Sequence, residues 1–190
     1  MYTLIKRRIQ ESIDVKAHML QDLELISNVE KAAELIIESL NNGAKMIVCG
    51  NGGSASDALH FVGEVVGRFQ TERRPFPAIA LNADVAIMTA IANDYGYNEI
   101  FARQIEAFAN PGDVIVGIST SGNSENVYNA IKVSKNKGCK TIALLGKSGG
   151  RIKDVTELPI VVPSDVTARI QESHIMIIHV LCEMIDKKLR

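Results

Sequence analysis

Aromatic residues are scarce: Phe, Tyr and Trp make up 5% of the chain, and Trp is absent. That argues against a platform on which bases or polymeric sugars stack. Cysteine is also rare. Cys49, Cys139 and Cys182 are odd in number and far apart. Reduced core thiols are therefore expected rather than a disulfide framework. No sign of charge dominates, because 21 Lys and Arg stand against 22 Asp and Glu. Both a basic footprint for nucleic acid and an acidic solvating tail are missing. Long apolar runs are lacking too. Those near the C-terminus are broken by His174, His179 and Glu183, well short of the roughly 20 residues of a membrane span. Residues 1–8 place their charges after a short apolar stretch, the reverse of a signal peptide. The expectation is a cytoplasmic protein that engages neither membrane nor nucleic acid.

What is present is an ordinary globular composition, 46% hydrophobic and 23% charged over 190 residues. This predicts one domain over 1–190 with a full core. Short, near-continuous apolar runs at 45–49, 77–81, 113–119, 140–145 and 158–162 read as parallel strands buried on both faces. Helical patterns separate them at 54–68, 98–109 and 125–137, with 28–40 before the first strand. The last helix, over about 165–189, is apolar on most sides and predicts burial or an interface. The polar patch 70–75 reads as a surface loop. The expected fold is α/β, a three-layer doubly wound five-stranded parallel sheet over 41–190, with a helical arm over 1–40. In such sheets ligands bind beyond the carboxyl ends of the strands.

Two strand ends carry chemistry. The first strand runs into Gly50-Asn51-Gly52-Gly53-Ser54-Ala55-Ser56. Glycines there let backbone approach a ligand, and Ser54 or Ser56 is placed to cap the next helix. This run fits the permissive dinucleotide pattern G-x-G-x-x-A, but the acidic residue that pattern needs is absent from the end of the second strand. Gly146-Lys147-Ser148 mimics the end of a P-loop, but Thr141 stands where that motif requires Gly. The third strand ends in Ser119-Thr120-Ser121-Gly122-Asn123-Ser124. Four hydroxyls at a helix start form a phosphate cradle without a fixed positive charge, whereas a capped loop needs only one. A second polar loop is expected at 92–98, and its Asn93 and Asp94 read equally as sugar-hydroxyl contacts or turn residues.

His60 and Glu64 are four apart on the helix after the glycine-rich loop, so they share a face. A ligand, proton or metal held between them, or a plain surface pair, fits that spacing. His179 lies in an apolar run and calls for a polar partner. No Ser-His-Asp order, CxxC or HExxH appears.

Several blocks together resemble the phosphoheptose isomerases of the sugar isomerase (SIS) domain family. They are Cys-Gly-Asn-Gly-Gly-Ser at 49–54, Asp-Ala-Leu-His-Phe-x-x-Glu at 57–64 and Ile-Ala-Asn-Asp-Tyr-Gly at 91–96. Gly-Ile-Ser-Thr-Ser-Gly-Asn-Ser at 117–124 and Ala-Arg-Ile-Gln-Glu at 168–172 complete the set. The resemblance implies a flavodoxin-like SIS domain. It also implies a homotetramer with active sites between subunits. It implies conversion of sedoheptulose 7-phosphate to D-glycero-D-manno-heptose 7-phosphate, the first step toward heptose for surface glycans such as lipopolysaccharide. Ser119, Thr120, Ser121 and Ser124 would hold the phosphate, and Asn51, Gly52, Gly53, Glu64, Asn93, Asp94 and Gln171 the rest of the substrate. His60, Glu64, Gln171 and His179 would bind one zinc per subunit, with Glu64 and His179 moving protons. Some members carry an acid at the position of Ala168, so no role passes to it. Gln171 and His179 are eight residues apart, about 12 Å along a straight helix. Reaching one ion from one chain therefore requires converging side chains, a distorted helix start or a site between subunits. A rival reading is a non-catalytic SIS protein related to the one that associates with the replication initiator. There the ionisable set is altered, whereas His60, Glu64 and His179 are present here. A sugar-phosphate-sensing regulator would need room for a DNA-binding domain, and 190 residues leave little.

Overall fold

A computed structural model describes residues 1–189. Five parallel strands are laid in the order β2-β1-β3-β4-β5: β1 (Met46–Gly50), β2 (Ala78–Ala80), β3 (Val114–Ser119), β4 (Lys140–Gly146) and β5 (Leu158–Val162). Successive side chains of a strand point to opposite faces, so each buried strand feeds two cores. Met46, Val48, Val116, Ile118 and Leu144 pack under α2 (Leu23–Asn41), α3 (Gly53–Val66) and α8 (Thr167–Lys188). Ile47, Cys49, Ile115, Ala143 and Leu145 pack under the opposite layer, α4 (Val85–Tyr95), α5 (Ala102–Phe108), α6 (Glu125–Asn136) and α7 (Gly150–Val155). This is the expected doubly wound three-layer sheet. The order 2-1-3-4-5 puts the topological switch between β1 and β3, with their loops side by side.

The arm begins with α1 (Tyr2–Gln21), which ends where Asp22 turns out of helical geometry and caps α2 through Leu25 N–H to Oδ1 at 3.0 Å. Arg169, in the first turn of α8, donates to the Arg8 carbonyl at 2.8 Å and so fastens α1 to α8. Among the described residues no helix is long and apolar enough to cross a membrane. Cys49, Cys139 and Cys182 are free and buried, and burial pushes the Cys49 thiol up to about 12.

Three local expectations are corrected. The stretch 92–98 is not a loop: Asn93 and Asp94 form the last turn of α4, which Asp84 caps through Ile87 N–H at 2.9 Å. The single helix expected over 98–109 is a 3-10 turn at Tyr97–Glu99 followed by α5. In the polar patch 70–75, Arg73 points inward, its side chain 1% exposed, and pairs with Asp186 of α8 at 2.6 Å. A buried guanidinium needs a carboxylate and carbonyls around it. Asp186 and the carbonyls of Glu64, Val65 and Arg74 supply them.

Candidate functional site

The loop after β1 turns at Gly52, whose φ of +59° is a conformation glycine adopts without strain. Gly52 also stands at the N-cap of α3, where no side chain caps the helix. The expected serine cap is therefore absent: Ser54 is buried in the first turn of α3. A Cβ on Gly53 would collide with the side chain of Gln171, so Gly53 is the space that α8 uses to lay Gln171 over this loop. Asn82 ties the strand end down, with Nδ2 donating to the Gly50 carbonyl at 2.8 Å and Oδ1 accepting Gly50 N–H at 3.3 Å.

On the neighbouring strand, Ser119 and Ser124 share a hydrogen bond at 2.9 Å, and Ser121 Oγ lies 3.5 Å from Ser119 Oγ. Ser124 occupies the N-cap of α6, yet its side chain does not cap the helix. Three hydroxyls thus gather at a helix N-terminus rather than being consumed by it. That is the chemistry of an anion seat.

The ionisable residues come from two helices far apart in sequence. On α3, Glu64 Oε1 meets His60 Nε2 at 3.0 Å. On α8, His179 Nε2 lies 3.3 Å from His60 Nε2, and its ring stacks on Phe69 at 5.6 Å between centroids. So His179 has the polar partner its apolar run demanded. The fully buried histidine is instead His174, which binds the Leu145 carbonyl at 2.9 Å. Burial pushes its pKa down to about 4, so it is a neutral core residue.

Two imidazole nitrogens and a carboxylate oxygen form the donor set of a three-ligand catalytic zinc site, and ligands of a tetrahedral zinc sit about 3.3 Å apart. The chemistry of His60, Glu64 and His179 fits that ion. Even so, no His, Cys, Asp or Glu group of three or more closes round a common point among the described residues. Among the described residues no hydrogen bond joins Gln171 to the three. Gln171 lies over Gly53, two helical turns before His60. Asn93 and Asp94 are exposed and hydrogen-bond to each other at 2.8 Å, and no hydrogen bond joins them to either loop among the described residues.

The structure adds residues that the sequence reading left out. Tyr97 and Asn126 both reach Asn51, and Phe69 covers His179. Asn126 stands two residues beyond the serine cluster, and its position there was the available signal. Phe69 had none, because its role depends on a loop folding back.

The sequence profile described as SIS domain matches residues 12–146. A protein of Citrifermentans bemidjiense named phosphoheptose isomerase is 58% identical over 166 residues, 87% of this chain and 86% of its own. The phosphoheptose isomerase of Trichlorobacter lovleyi is 50% identical over 189 residues, 100% of this chain and 95% of its own. The solved structure of a phosphoheptose isomerase from Francisella tularensis superposes with a TM-score of 0.94 at 40% identity, covering 98% of both chains.

Proposed function

The chain belongs to the SIS-domain family and, within it, to the phosphoheptose isomerases, and from that membership we propose that it interconverts sedoheptulose 7-phosphate and D-glycero-D-manno-heptose 7-phosphate. The product would supply heptose for surface glycans. Relatives at this identity carry the isomerase name, which favours catalysis over the non-catalytic binding reading. The observation that carries the proposal is the meeting of His60 and Glu64 with His179 beside two ligand-ready loops. An aldose–ketose isomerisation moves a proton between C1 and C2 through an enediol. It needs a base for carbon and an acid for oxygen. Glu64 takes the carbon proton, and His179 exchanges the oxygen proton. The hydroxyls of Ser119, Ser121 and Ser124, with Thr120, hold the phosphate. Asn51, Gly52, Gly53, Asn93, Asp94 and Gln171 take the rest of the sugar. A zinc ion, one per subunit, at His60, Glu64 and His179 would polarise the sugar carbonyl.

The oligomer proposed is a homotetramer. Ile5, Ile9 and Ile13 of α1 make a stripe at helical spacing that is more than half exposed, and Leu20, Leu23 and Val180 are exposed as well. Such a surface on one chain calls for a second copy.

The test is purified protein sized in solution, then given sedoheptulose 7-phosphate with and without chelator. We expect a particle near four times 20.7 kDa, and aldose formation that chelator removes and zinc restores. No aldose under any condition sinks the function. Full activity after exhaustive chelation sinks the metal, and a fully active monomer sinks the tetramer. Within the same assay, Ser121→Ala and Ser124→Ala should each raise KM about tenfold with little change in kcat, since phosphate is gripped alike in ground and transition states. An unchanged KM in both would remove the loop from the binding site.

A further inference from the structure

Asn51 is held by side chains from two other segments. Asn126 donates Nδ2–H to Asn51 Oδ1 at 2.9 Å, and Tyr97 donates its hydroxyl to the same oxygen at 2.9 Å. Asn51 donates Nδ2–H back to Asn126 Oδ1 at 2.8 Å. The direction of this pair is not arbitrary. Val127 N–H, a backbone donor that cannot reverse, binds Asn126 Oδ1 at 2.9 Å. With Oδ1 of Asn126 so placed, its Nδ2 faces Asn51, and the Asn51 atom it meets has to be the oxygen. Asn126 itself is 3% exposed, so water does not compete for it. Tyr97 and Asn51 also border a cleft of about 330 Å³ between the loop after β1 and α4.

An amide oxygen accepts two hydrogen bonds and an amide nitrogen donates two. Both acceptor positions of Asn51 are filled and one donor is used. What remains is one N–H. We propose that Asn126 is a positioning residue for the isomerase, with Tyr97 as its support, and that together they fix Asn51 as a single N–H donor aimed at an oxygen acceptor of the sugar phosphate. The proposal rests on the reading that Asn51 faces the substrate. It explains why the start of α6, after β3, and the 3-10 turn after α4 both converge on one amide: a free Asn would offer the sugar either its oxygen or its nitrogen, and this one offers only the donor.

The experiment is a double-mutant cycle in KM and kcat for sedoheptulose 7-phosphate, with binding followed by calorimetry and thermal midpoints taken on the same preparations. Asn126→Ala should raise KM about tenfold with kcat within about threefold, the loss expected when a binding donor is no longer aimed. Tyr97→Phe, which removes one hydroxyl from an exposed ring, should raise KM about threefold. In the Asn51→Ala background neither change should cost more, because its target is gone. A purely structural Asn126 gives a lower midpoint and the same factor in both backgrounds, which overturns the proposal. So does a wild-type KM in both single variants. If Asn126→Ala does not fold, the Tyr97→Phe cycle decides by the same criterion. Wild-type protein that neither binds nor converts the substrate overturns the function and this inference together. Wild-type turnover without coupling overturns this inference alone.

Discussion

Glu64→Gln should lower kcat by about 10²–10⁴-fold while substrate still binds, and His179→Gln should do the same. Glutamine keeps the length and one hydrogen-bonding oxygen of Glu64 but cannot accept a proton from carbon. The surrounding frame does not depend on the carboxylate. The Glu64 carbonyl takes Arg73 Nη2–H at 2.8 Å whatever the side chain, and the side chain itself is 26% exposed. Its replacement therefore leaves α3 in place. His179 contacts His60 and Phe69 at its ring, while the turns on either side of it are buried through Ile178, Leu181 and Cys182. The measurement is kcat, KM and thermal midpoint on the same preparations. If the two residues were only structural, stability would drop with turnover nearly intact. Folded variants with near wild-type kcat would remove Glu64 and His179 from the chemistry and leave the phosphate loop standing. Loss in Glu64→Gln alone would keep the base and reassign the oxygen proton.

The sheet was legible because buried parallel strands are short apolar runs. The fifth, Leu158–Val162, has the expected bounds, β3 and β4 differ by one residue at one end, and β1 and β2 differ by one residue at each end. α4 was not legible. Residues 85–92 are apolar on nearly every side, so the face that packs Met88, Ile91 and Ala92 on the core does not stand out, and the Asn-Asp pair in the helix's last turn mimics a loop. α7 is only six residues long, and its N-cap Gly149 and first residue Gly150 both have positive φ. Within the site, the pair His60–Glu64 is local and its four-residue spacing announced the contact seen at 3.0 Å. His179 joins it across 119 residues of sequence, which no spacing encodes. The eight-residue separation of Gln171 and His179 did carry information. Along a straight α8 the two side chains start about 12 Å apart, and here that of Gln171 lies over Gly53. Arg73 was misread for the opposite reason: a polar loop shows its composition, but not which of its side chains turns inward.

Asp186→Asn should destabilise the protein by about 3–5 kcal/mol, because it leaves the Arg73 guanidinium buried beside a neutral amide. Both side chains are nearly inaccessible, at 1% and 2% exposure, and they meet at 2.6 Å. Asp186 also accepts Gln70 N–H at 2.8 Å and Thr71 N–H at 3.0 Å, so the pair holds the loop that carries Phe69 onto His179. Burial pushes the Asp186 carboxyl up, but the Thr71 N–H, the Arg73 guanidinium and the Gln70 N–H outweigh it and hold the pKa below the ordinary value. A carboxyl held below its unfolded value of about 3.9 adds stability above that pH and loses it as pH falls through the folded pKa. The wild-type midpoint should therefore drop as pH falls below about 4, and the Asp186→Asn midpoint should lack that part of the fall. At pH 7 the variant should melt roughly 6–20 °C lower, at about 2–4 °C per kcal/mol for a chain of this size. Its kcat should fall as well, since α3 and α8 lose the clasp that keeps Glu64 and His179 in register. A double change of Arg73→Met with Asp186→Leu removes both charges and should recover much of the midpoint. A single Asp186→Asn variant with wild-type midpoint and wild-type acid lability would show that the ion pair does not hold the two helices together.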